Sequence, residues 1–531
     1  MEINTYLGQK GYTIAKNELT IEQQKKIRND LTIKPFSLRE GSPMNNSEGK
    51  TFPAYRESSN KFYVPHYYGI ENFGLPKQYK ITEGDDINLD FAGKLRENQE
   101  IVVNTYLEHV KKVCFGGGLL ELPCAYGKTV LSLNIISQLQ KKTFIIVHKE
   151  FLMNQWIERI EQFLPKARVG KIQGPIIDID DKDIVIGMLQ SLSMKEYPSS
   201  IFESFGLTII DEVHHISSEV FSNSLFKLVT KYMLGLSATM NRKDGTTKVF
   251  KMFLGDVIFK GKRDEAREVV VHGIQYEVDD EEFNEVKTDY RGNPAYSTMI
   301  SKLCEYNRRS EFILKVLSIM LETNPNQQIM ILAHNKNILK YLHDAIAHRN
   351  IATTGYYVGG MKETALKETE GKKVVIATYS MAAEALDIKT LTTLIMATPK
   401  TDIEQSVGRI LREKHSSPIV VDIIDSHDLF QNQWRKRKTF YKKENYKIIY
   451  TTNQEYSSDT SKWKILYTPN ASGPKECKPK NTIKKSITER SNSSTDKSIT
   501  NDSDSEEESE KEPEKPKDKY LCGKCLLTIK K

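Results

Sequence analysis

Short runs of apolar, often β-branched residues alternate along the middle of the chain with stretches whose apolar residues recur at helical spacing. From Leu95 to about Lys260 this alternation predicts a parallel sheet covered by helices. Thr143-Phe-Ile-Ile-Val147 and Leu207-Thr-Ile-Ile210 read as buried strands, and Thr129 to Gln140 as a helix. The charged stretch Gly261-Lys-Arg-Asp-Glu-Ala-Arg-Glu268 interrupts the pattern and reads as a linker. The pattern then resumes. Gln328-Ile-Met-Ile-Leu-Ala333, Val374-Val-Ile-Ala-Thr378, Leu394-Ile-Met-Ala-Thr398 and Ile419-Val-Val-Asp-Ile-Ile424 predict the strands of a second α/β domain. Residues 1 to about 90 lack clear periodicity and carry an aromatic stretch, Lys61-Phe-Tyr-Val-Pro-His-Tyr-Tyr-Gly69, which suits a small accessory domain. Beyond about residue 465 large apolar residues almost vanish, so that segment cannot bury enough surface to fold alone and is expected to be disordered. The expected division is therefore 1–90, 91–265, 266–450 and a mostly disordered charged tail, 451–531.

Composition agrees with a multi-domain enzyme: 531 residues exceed what one core organises, with 38% hydrophobic and 28% charged residues. No apolar run approaches the roughly 18 residues of a membrane helix, which excludes a helical membrane protein. The amino terminus has neither a basic start nor an apolar stretch, so the chain is expected to be intracellular and not secreted. Six scattered cysteines are too sparse for a disulfide scaffold. The net charge of +7 hides an acidic tail with eight carboxylates between Asp502 and Glu514, so the folded part is more basic than the average and suits a polyanion.

Leu122-Pro-Cys-Ala-Tyr-Gly-Lys-Thr129 lies between an apolar run and a helical pattern, where a loop can offer backbone N–H groups and a helix N-terminus to phosphate. Leu122, Pro123, Cys124, Ala125, Tyr126 and Gly127 would wrap the phosphates of ATP, although Leu122 stands where the general pattern has glycine. Gly127 allows close approach, Lys128 would reach the β and γ phosphates, and the Thr129 hydroxyl would ligate Mg²⁺. Asp211-Glu-Val-His214 directly follows a predicted buried strand, which puts Asp211 where open α/β sheets bind ligands. Asp211 would hold Mg²⁺, Glu212 would position and deprotonate water, and His214 would report the nucleotide state to neighbouring segments.

These segments resemble the superfamily 2 helicases of the Asp-Glu-x-His type, in order over roughly residues 91 to 450. The fold that the resemblance implies is two tandem RecA-like P-loop domains. Leu95-Arg-Glu-Asn-Gln99 is similar to a nucleotide-side segment, which would add Arg96 and Gln99 to the ATP contacts. Val147-His-Lys-Glu-Phe-Leu-Met-Asn-Gln-Trp156 resembles motif Ia, which implies nucleic-acid contacts by Lys149, Gln155 and Trp156. Leu234-Gly-Leu-Ser-Ala-Thr239, with Arg242 and Asp244-Gly245 behind it, resembles motif III, so Ser237 and Thr239 would couple hydrolysis to strand contact. Ile331-Leu-Ala-His-Asn335 resembles motif IV. Ala377-Thr-Tyr-Ser-Met-Ala-Ala-Glu-Ala-Leu-Asp-Ile388 resembles motif V, with Thr378 on nucleic acid and Glu384 and Asp387 in coupling. Gln405-Ser-Val-Gly-Arg-Ile-Leu-Arg412 resembles motif VI, which makes Gln405, Arg409 and Arg412 catalytic. Within the superfamily the chain looks most like the xeroderma pigmentosum group B and phage recombination branch and the transcript-release helicases of poxviruses and giant viruses. No Arg-Glu-Asp triplet occurs, which favours the viral or phage-like side. The relatives favour DNA over RNA as the track.

Weaker signals remain. In Gln433-Trp-Arg-Lys-Arg-Lys-Thr-Phe-Tyr-Lys-Lys443, Arg435 and Lys436 are candidate phosphate contacts, while Trp434 and Phe440 read better as the packed side of a closing helix. Cys522 and Cys525 have zinc-knuckle spacing, but only Cys477 could join them and no histidine follows His427, so a closed zinc site is not expected from the tail alone. The tail would serve any protein partners. A nucleotide kinase or transport ATPase would not need the second domain's motifs. A non-hydrolysing ATP-binding scaffold would usually lack one of Lys128, Asp211, Glu212, Arg409 and Arg412, and all are present.

Overall fold

The computed structural model describes residues 3–35, 51–112, 115–123, 126–215, 218–240, 245–261, 268–384, 388–411 and 417–469. Cys124, Ala125, Arg242, Asp244, Asp387, Arg412, the side chain of Glu384, and the tail with Cys477, Cys522 and Cys525 lie outside the described residues.

The amino-terminal region forms a small mixed sheet. Its strands are β1 (Thr5–Gly8), β2 (Gly11–Ala15), β3 (Arg56–Glu57), β4 (Lys61–Val64) and β5 (Gln78–Tyr79), in the order β3-β4-β2-β1-β5. Alternation sorts its residues. Leu7, Tyr12, Ile14, Phe62 and Val64 turn to a core with Ile27 and Leu31 of helix α1 (Ile21–Leu31). Helix α2 (His66–Phe73) follows, and its Tyr67 hydroxyl donates to the Gly117 carbonyl and accepts from the Gly117 N–H. This domain is shorter than the expected 1–90. From Thr82 the chain runs along the next domain: Asp85 N–H donates to Ser204, Ile87 N–H to Gln140, and Leu89 is buried in that domain's core.

The first large sheet contains β6 (Gly116–Glu121), β7 (Thr143–Val147), β8 (Val169–Gln173), β9 (Ile176–Ile177), β10 (Ile184–Met188), β11 (Leu207–Ile210), β12 (Tyr232–Ser237) and β13 (Val257–Lys260). Their order is β9-β8-β10-β7-β11-β12-β6-β13, and all pairs are parallel except β8 with β9. Burial on both faces explains the unbroken apolar runs. Ile145, Ile186 and Ile209 enter one core, while Phe144, Ile146, Val185 and Ile210 enter the other. Helices α3 (Glu97–Lys111), α4 (Lys128–Leu139) and α5 (Glu150–Phe163) precede or follow the strands that carry the site.

The second large sheet comprises β14 (Val270–Tyr276), β15 (Gln328–Ala333), β16 (Thr354–Tyr357), β17 (Val374–Thr378), β18 (Leu391–Met396), β19 (Ile419–Asp425), β20 (Lys447–Thr452) and β21 (Lys464–Tyr467). The order is β16-β17-β15-β18-β19-β14-β20-β21, with only β20 and β21 antiparallel. Helices α6 (Asn307–Thr323), α7 (Lys336–His348), α8 (Glu363–Glu370), α9 (Glu404–Gly408) and α10 (Asp428–Lys443) belong to this domain. The expected boundary at 450 falls inside β20. The sheet continues to Tyr467 because Tyr456 and Trp463 are buried in its core.

Two buried ion pairs brace this second domain. Arg309 grips Asp425 through Nε and Nη2 at 2.5 and 2.9 Å and donates Nη1 to the Ala397 carbonyl. Arg437 grips Asp422 at 2.7 and 2.8 Å, and Tyr441 donates to the same carboxylate. Such charges are tolerated in a core only when both partners are matched and hydrogen-bonded.

Candidate active site

The phosphate loop leaves β6, whose carboxyl end lies beside those of β12 and β11, and enters α4. Leu122 is fully buried and donates its N–H to the Ser237 carbonyl, fixing the start of the loop to β12. Gly127 caps α4 with φ of +87°, and a Cβ there would stand 2.3 Å from Gln99 Nε2. Only glycine fits that turn. Arg96 and Gln99 come together on the loop: Arg96 Nη2 and Gln99 Nε2 both donate to the Tyr126 carbonyl, at 2.5 and 2.8 Å. In this geometry they hold the loop's backbone, and Gln99 Oε1 accepts from the Arg96 N–H to cap α3.

Lys128 is the first residue of α4, and its Nζ lies 2.5 Å from Glu212 Oε1. Glu212 reaches it because its own φ is +48°, a left-handed conformation that costs a non-glycine residue about 1–2 kcal/mol and turns the chain sharply off β11. Asp211 extends the ladder of β11, donating its N–H to the Ile146 carbonyl. Its carboxylate is 7% exposed and accepts from Trp156 Nε1 and from the Glu212 N–H, both at 2.9 Å. Burial, and then the neighbouring Glu212 charge, push the Asp211 carboxyl up, against the pull of Lys128 and the two donors.

Asp211 and Thr129 offer hard oxygen ligands, and a buried carboxylate whose charge burial disfavours gains from a divalent cation beside it. The pair therefore fits Mg²⁺. No cluster of three or more His, Cys, Asp or Glu among the described residues could hold a metal by itself.

His214 carries the site towards the second domain. Its Nδ1 is 2.7 Å from Ser237 Oγ and 3.3 Å from Glu212 Oε2, and its Nε2 is 2.8 Å from Gln405 Nε2 on α9. Ser237 donates its one hydrogen to the Thr239 carbonyl at 2.6 Å, so it accepts from His214. That assigns the hydrogen to Nδ1 and leaves Nε2 to accept from the Gln405 amide. Arg409 begins the 3-10 turn after α9 and is 9% exposed.

The expected nucleic-acid residues do not form one cluster. Lys149 caps α5 and is half-buried, with burial lowering its ammonium pKa; Gln155 is half-buried on the same helix. Trp156 must be corrected: it is 1% exposed and cannot touch a strand, and its indole N–H instead orients Asp211. Thr378 ends β17, with its hydroxyl 3.3 Å from that of Ser380. Arg435 and Lys436 are exposed on α10, while Trp434 is buried and Phe440 packs on the same core. Residues 434, 437 and 441 share the inner face of α10, so the structurally committed cation of this basic stretch is Arg437. Helical spacing could have revealed it.

The family model described as "Type III restriction enzyme, res subunit" matches residues 92–242. "Putative ATP-dependent RNA helicase L396" of Acanthamoeba polyphaga mimivirus is 34% identical over 461 residues, covering 84% of this chain and 86% of that protein. The chain belongs to the viral superfamily 2 helicases. QP509L of African swine fever virus, which carries the same descriptive name, is 27% identical over 386 residues, covering 65% of this helicase and 73% of that protein. The solved structure "S. cerevisiae Dbp5 bound to RNA and ADP BeF3" matches with a TM-score of 0.50 and 12% identity, over 69% of this chain and 92% of that one. That likeness shows the fold alone: two tandem RecA-like domains. No helix among the helicase's described residues is long and apolar enough to cross a membrane.

Proposed function

We propose that this ATP-dependent helicase moves along DNA inside the cell, in viral transcription, repair or recombination, using Mg²⁺-bound ATP. The observation that carries the reading is the continuous line Lys128–Glu212–His214–Gln405, which joins the phosphate loop of one domain to the helix of the other. Lys128 hands its ammonium from Glu212 to the terminal phosphates, which frees the Glu212 carboxylate to accept a proton from water. When bound, Mg²⁺ supplies charge neutralisation on the phosphate oxygens, with Asp211 and Thr129 as its protein ligands. Arg409 and Arg412 would add donors from the second domain as the cleft closes. Thr378, Lys149 and Gln155 supply the strand contacts in this reading, with Arg435 and Lys436 as outer phosphate contacts.

RNA is the second reading, favoured by the descriptive names of the two viral relatives. The test is ATP hydrolysis measured with single-stranded, duplex and branched DNA and with RNA at one salt concentration. Stimulation strongest with DNA supports the first reading, and stimulation by RNA alone moves the track to RNA. Hydrolysis that no nucleic acid changes overturns both, and absence of hydrolysis with every nucleic acid leaves an ATP-binding scaffold.

A further inference from the structure

The accessory domain has a second sheet face, part of which packs on the first motor domain while the part around Tyr6 and Tyr63 stays half-exposed. Register places Gln78, Tyr6, Thr13, Tyr63 and Arg56 in one row across β5, β1, β2, β4 and β3, opposite to the face that packs on α1. Thr13 in the middle is buried, while Tyr6 and Tyr63 are half-exposed and stand two strand spacings apart, about 9.6 Å. Gly8 lies beside Tyr6 on this face, and a Cβ there would meet the Tyr6 ring at 3.2 Å, so the ring lies down along β1.

Three lysines gather over these rings. Lys80 Nζ is 4.4 Å and Lys61 Nζ 5.3 Å from the Tyr6 centroid, Lys61 also donates to the Tyr6 hydroxyl at 3.2 Å, and Lys10 Nζ is 5.6 Å from the Tyr63 centroid. Among the described residues none of the three is paired with a carboxylate. Glu57 turns to the opposite face, opposite Phe62, and is held there by Lys16 and Arg28. Unmatched cations interleaved with ring faces are what a single strand recognises: its phosphates need the charge, and its unpaired bases need a flat apolar surface. A duplex would offer the charge but hide its base faces. The face is also fixed relative to the motor. Arg56, at the end of the same row, donates to the Asn223 carbonyl at 3.3 Å and lies over the Phe226 ring at 5.4 Å, both in the first motor domain.

We infer that this face, built from Tyr6 and Tyr63 with Lys10, Lys61 and Lys80, is an auxiliary binding site for single-stranded nucleic acid. It holds the strand outside the motor and raises its local concentration at the cleft. The inference rests on the nucleic-acid reading proposed above, yet it is tested by binding without ATP, so that the two can fail separately.

The full chain is titrated into labelled single-stranded DNA and RNA oligonucleotides, read by fluorescence anisotropy at several salt concentrations. Neutralising the lysines (K10Q with K61Q and K80Q) removes up to three phosphate contacts. The plot of log affinity against log salt should flatten by about 2, from roughly 0.7 per contact on a single strand. Tyr63→Ala should lower affinity about tenfold and Tyr63→Phe should restore it, since stacking needs the ring and not the hydroxyl. In strand-stimulated hydrolysis the lysine variant should need more nucleic acid for half-maximal stimulation while reaching the same saturated rate. An unchanged thermal unfolding transition certifies that the variants fold. Affinity and salt slope equal to those of the unmodified chain overturn the site, as does a Tyr63→Phe variant no better than Tyr63→Ala. Tight binding without any stimulation of hydrolysis would instead sink the motor reading and leave this face standing.

Discussion

Trp156→Phe tests the central geometry with the smallest change. Phenylalanine keeps an aromatic ring in a site that is 1% exposed and removes only the indole N–H that donates to Asp211 Oδ2 at 2.9 Å, together with part of the ring volume. A hydrogen bond to a charged group contributes about 1.5–3 kcal/mol. At roughly 1.4 kcal/mol per pH unit, losing it makes the Asp211 carboxylate about one to two units harder to ionise. Burial already pushes this carboxyl up, and the Lys128 charge and the Glu212 N–H would be left to oppose it. The sign follows directly. A raised carboxyl pKa leaves more of the group protonated at a given pH, so activity that requires the carboxylate is lost at a higher pH on the way down.

The assay is steady-state ATP hydrolysis over a grid of pH and Mg²⁺ concentration. The acid limb of the profile should move up by roughly one to two pH units, and at neutral pH half-maximal activity should require several-fold more Mg²⁺, because protons and metal compete for one carboxylate. At alkaline pH and high Mg²⁺ the variant should recover most of its rate. A folded variant whose acid limb and Mg²⁺ requirement match the unmodified chain would refute the positioning role of Trp156.

Four further outcomes follow from named contacts. Lys128→Ala should abolish hydrolysis while leaving the thermal transition in place, since the side chain is committed to Glu212 and phosphate and not to a core; substantial residual turnover would refute this. Arg409→Ala should cut strand-stimulated turnover by about 10³ to 10⁵ with far less effect on nucleotide binding, and Arg409→Lys should not rescue, because a point charge lacks the guanidinium fork. Glu158→Lys should weaken the approach of the domains by removing its pair with Lys367, and Lys367→Glu in the same chain should restore it; equal effects of the single and double variants on stimulated hydrolysis would dismiss the pair. His66 and His272 are buried and held down to about 4 by burial. The unfolded imidazoles take up protons first as pH falls below about 6.5, so the thermal midpoint should drop between pH 6.5 and 4, and a flat midpoint over that window would contradict their burial.

How much was legible in the sequence depended on how much each position reports its surroundings. Strands buried on both faces announce themselves: Thr143–Val147, Gln328–Ala333 and Val374–Thr378 have the bounds their apolar runs suggest. Gly116–Glu121 is harder, because its glycines are poor strand formers. They are there for packing, since a Cβ on Gly118 would stand 1.7 Å from Ile258 Cδ1, contributed by a strand distant in sequence. The last two strands were missed because the sheet there is completed by contacts distant in sequence, such as Trp463 packing against His272. At the site, residue types that serve phosphate chemistry are legible wherever they stand. Trp156 was misplaced because motif spacing says which residues are neighbours, not which side of a helix they occupy. Gln155 and Trp156 point about 100° apart, and only the packed structure shows that one of them faces Asp211.

Helix α5 shows why that difference bears on mechanism. Phe151, Asn154 and Glu158 lie three and four residues apart and form one stripe, which meets the second domain. Phe151 packs with its core, Asn154 Nδ2 donates to Glu363 Oε2 at 3.0 Å, and Glu158 Oε1 accepts from Lys367 at 2.9 Å. Trp156, two residues from Asn154 and so on the other side, holds Asp211, while Lys149 caps the amino-terminal end where a strand contact is proposed. A helix of 14 residues is about 21 Å of stiff rod, so displacement of either end displaces the indole. Opening the cleft would break the stripe facing α8 and the bond from His214 to Gln405, and would shift the rod that holds Trp156 against Asp211. If hydrolysis depends on domain closure, two contacts can report it: His214 through Gln405, and α5 through α8 with Trp156 on Asp211. If both operate, Gln405→Ala and Glu158→Lys should each lower stimulated turnover and together lower it more than either alone. If one route carries everything, the second substitution will add nothing to the first.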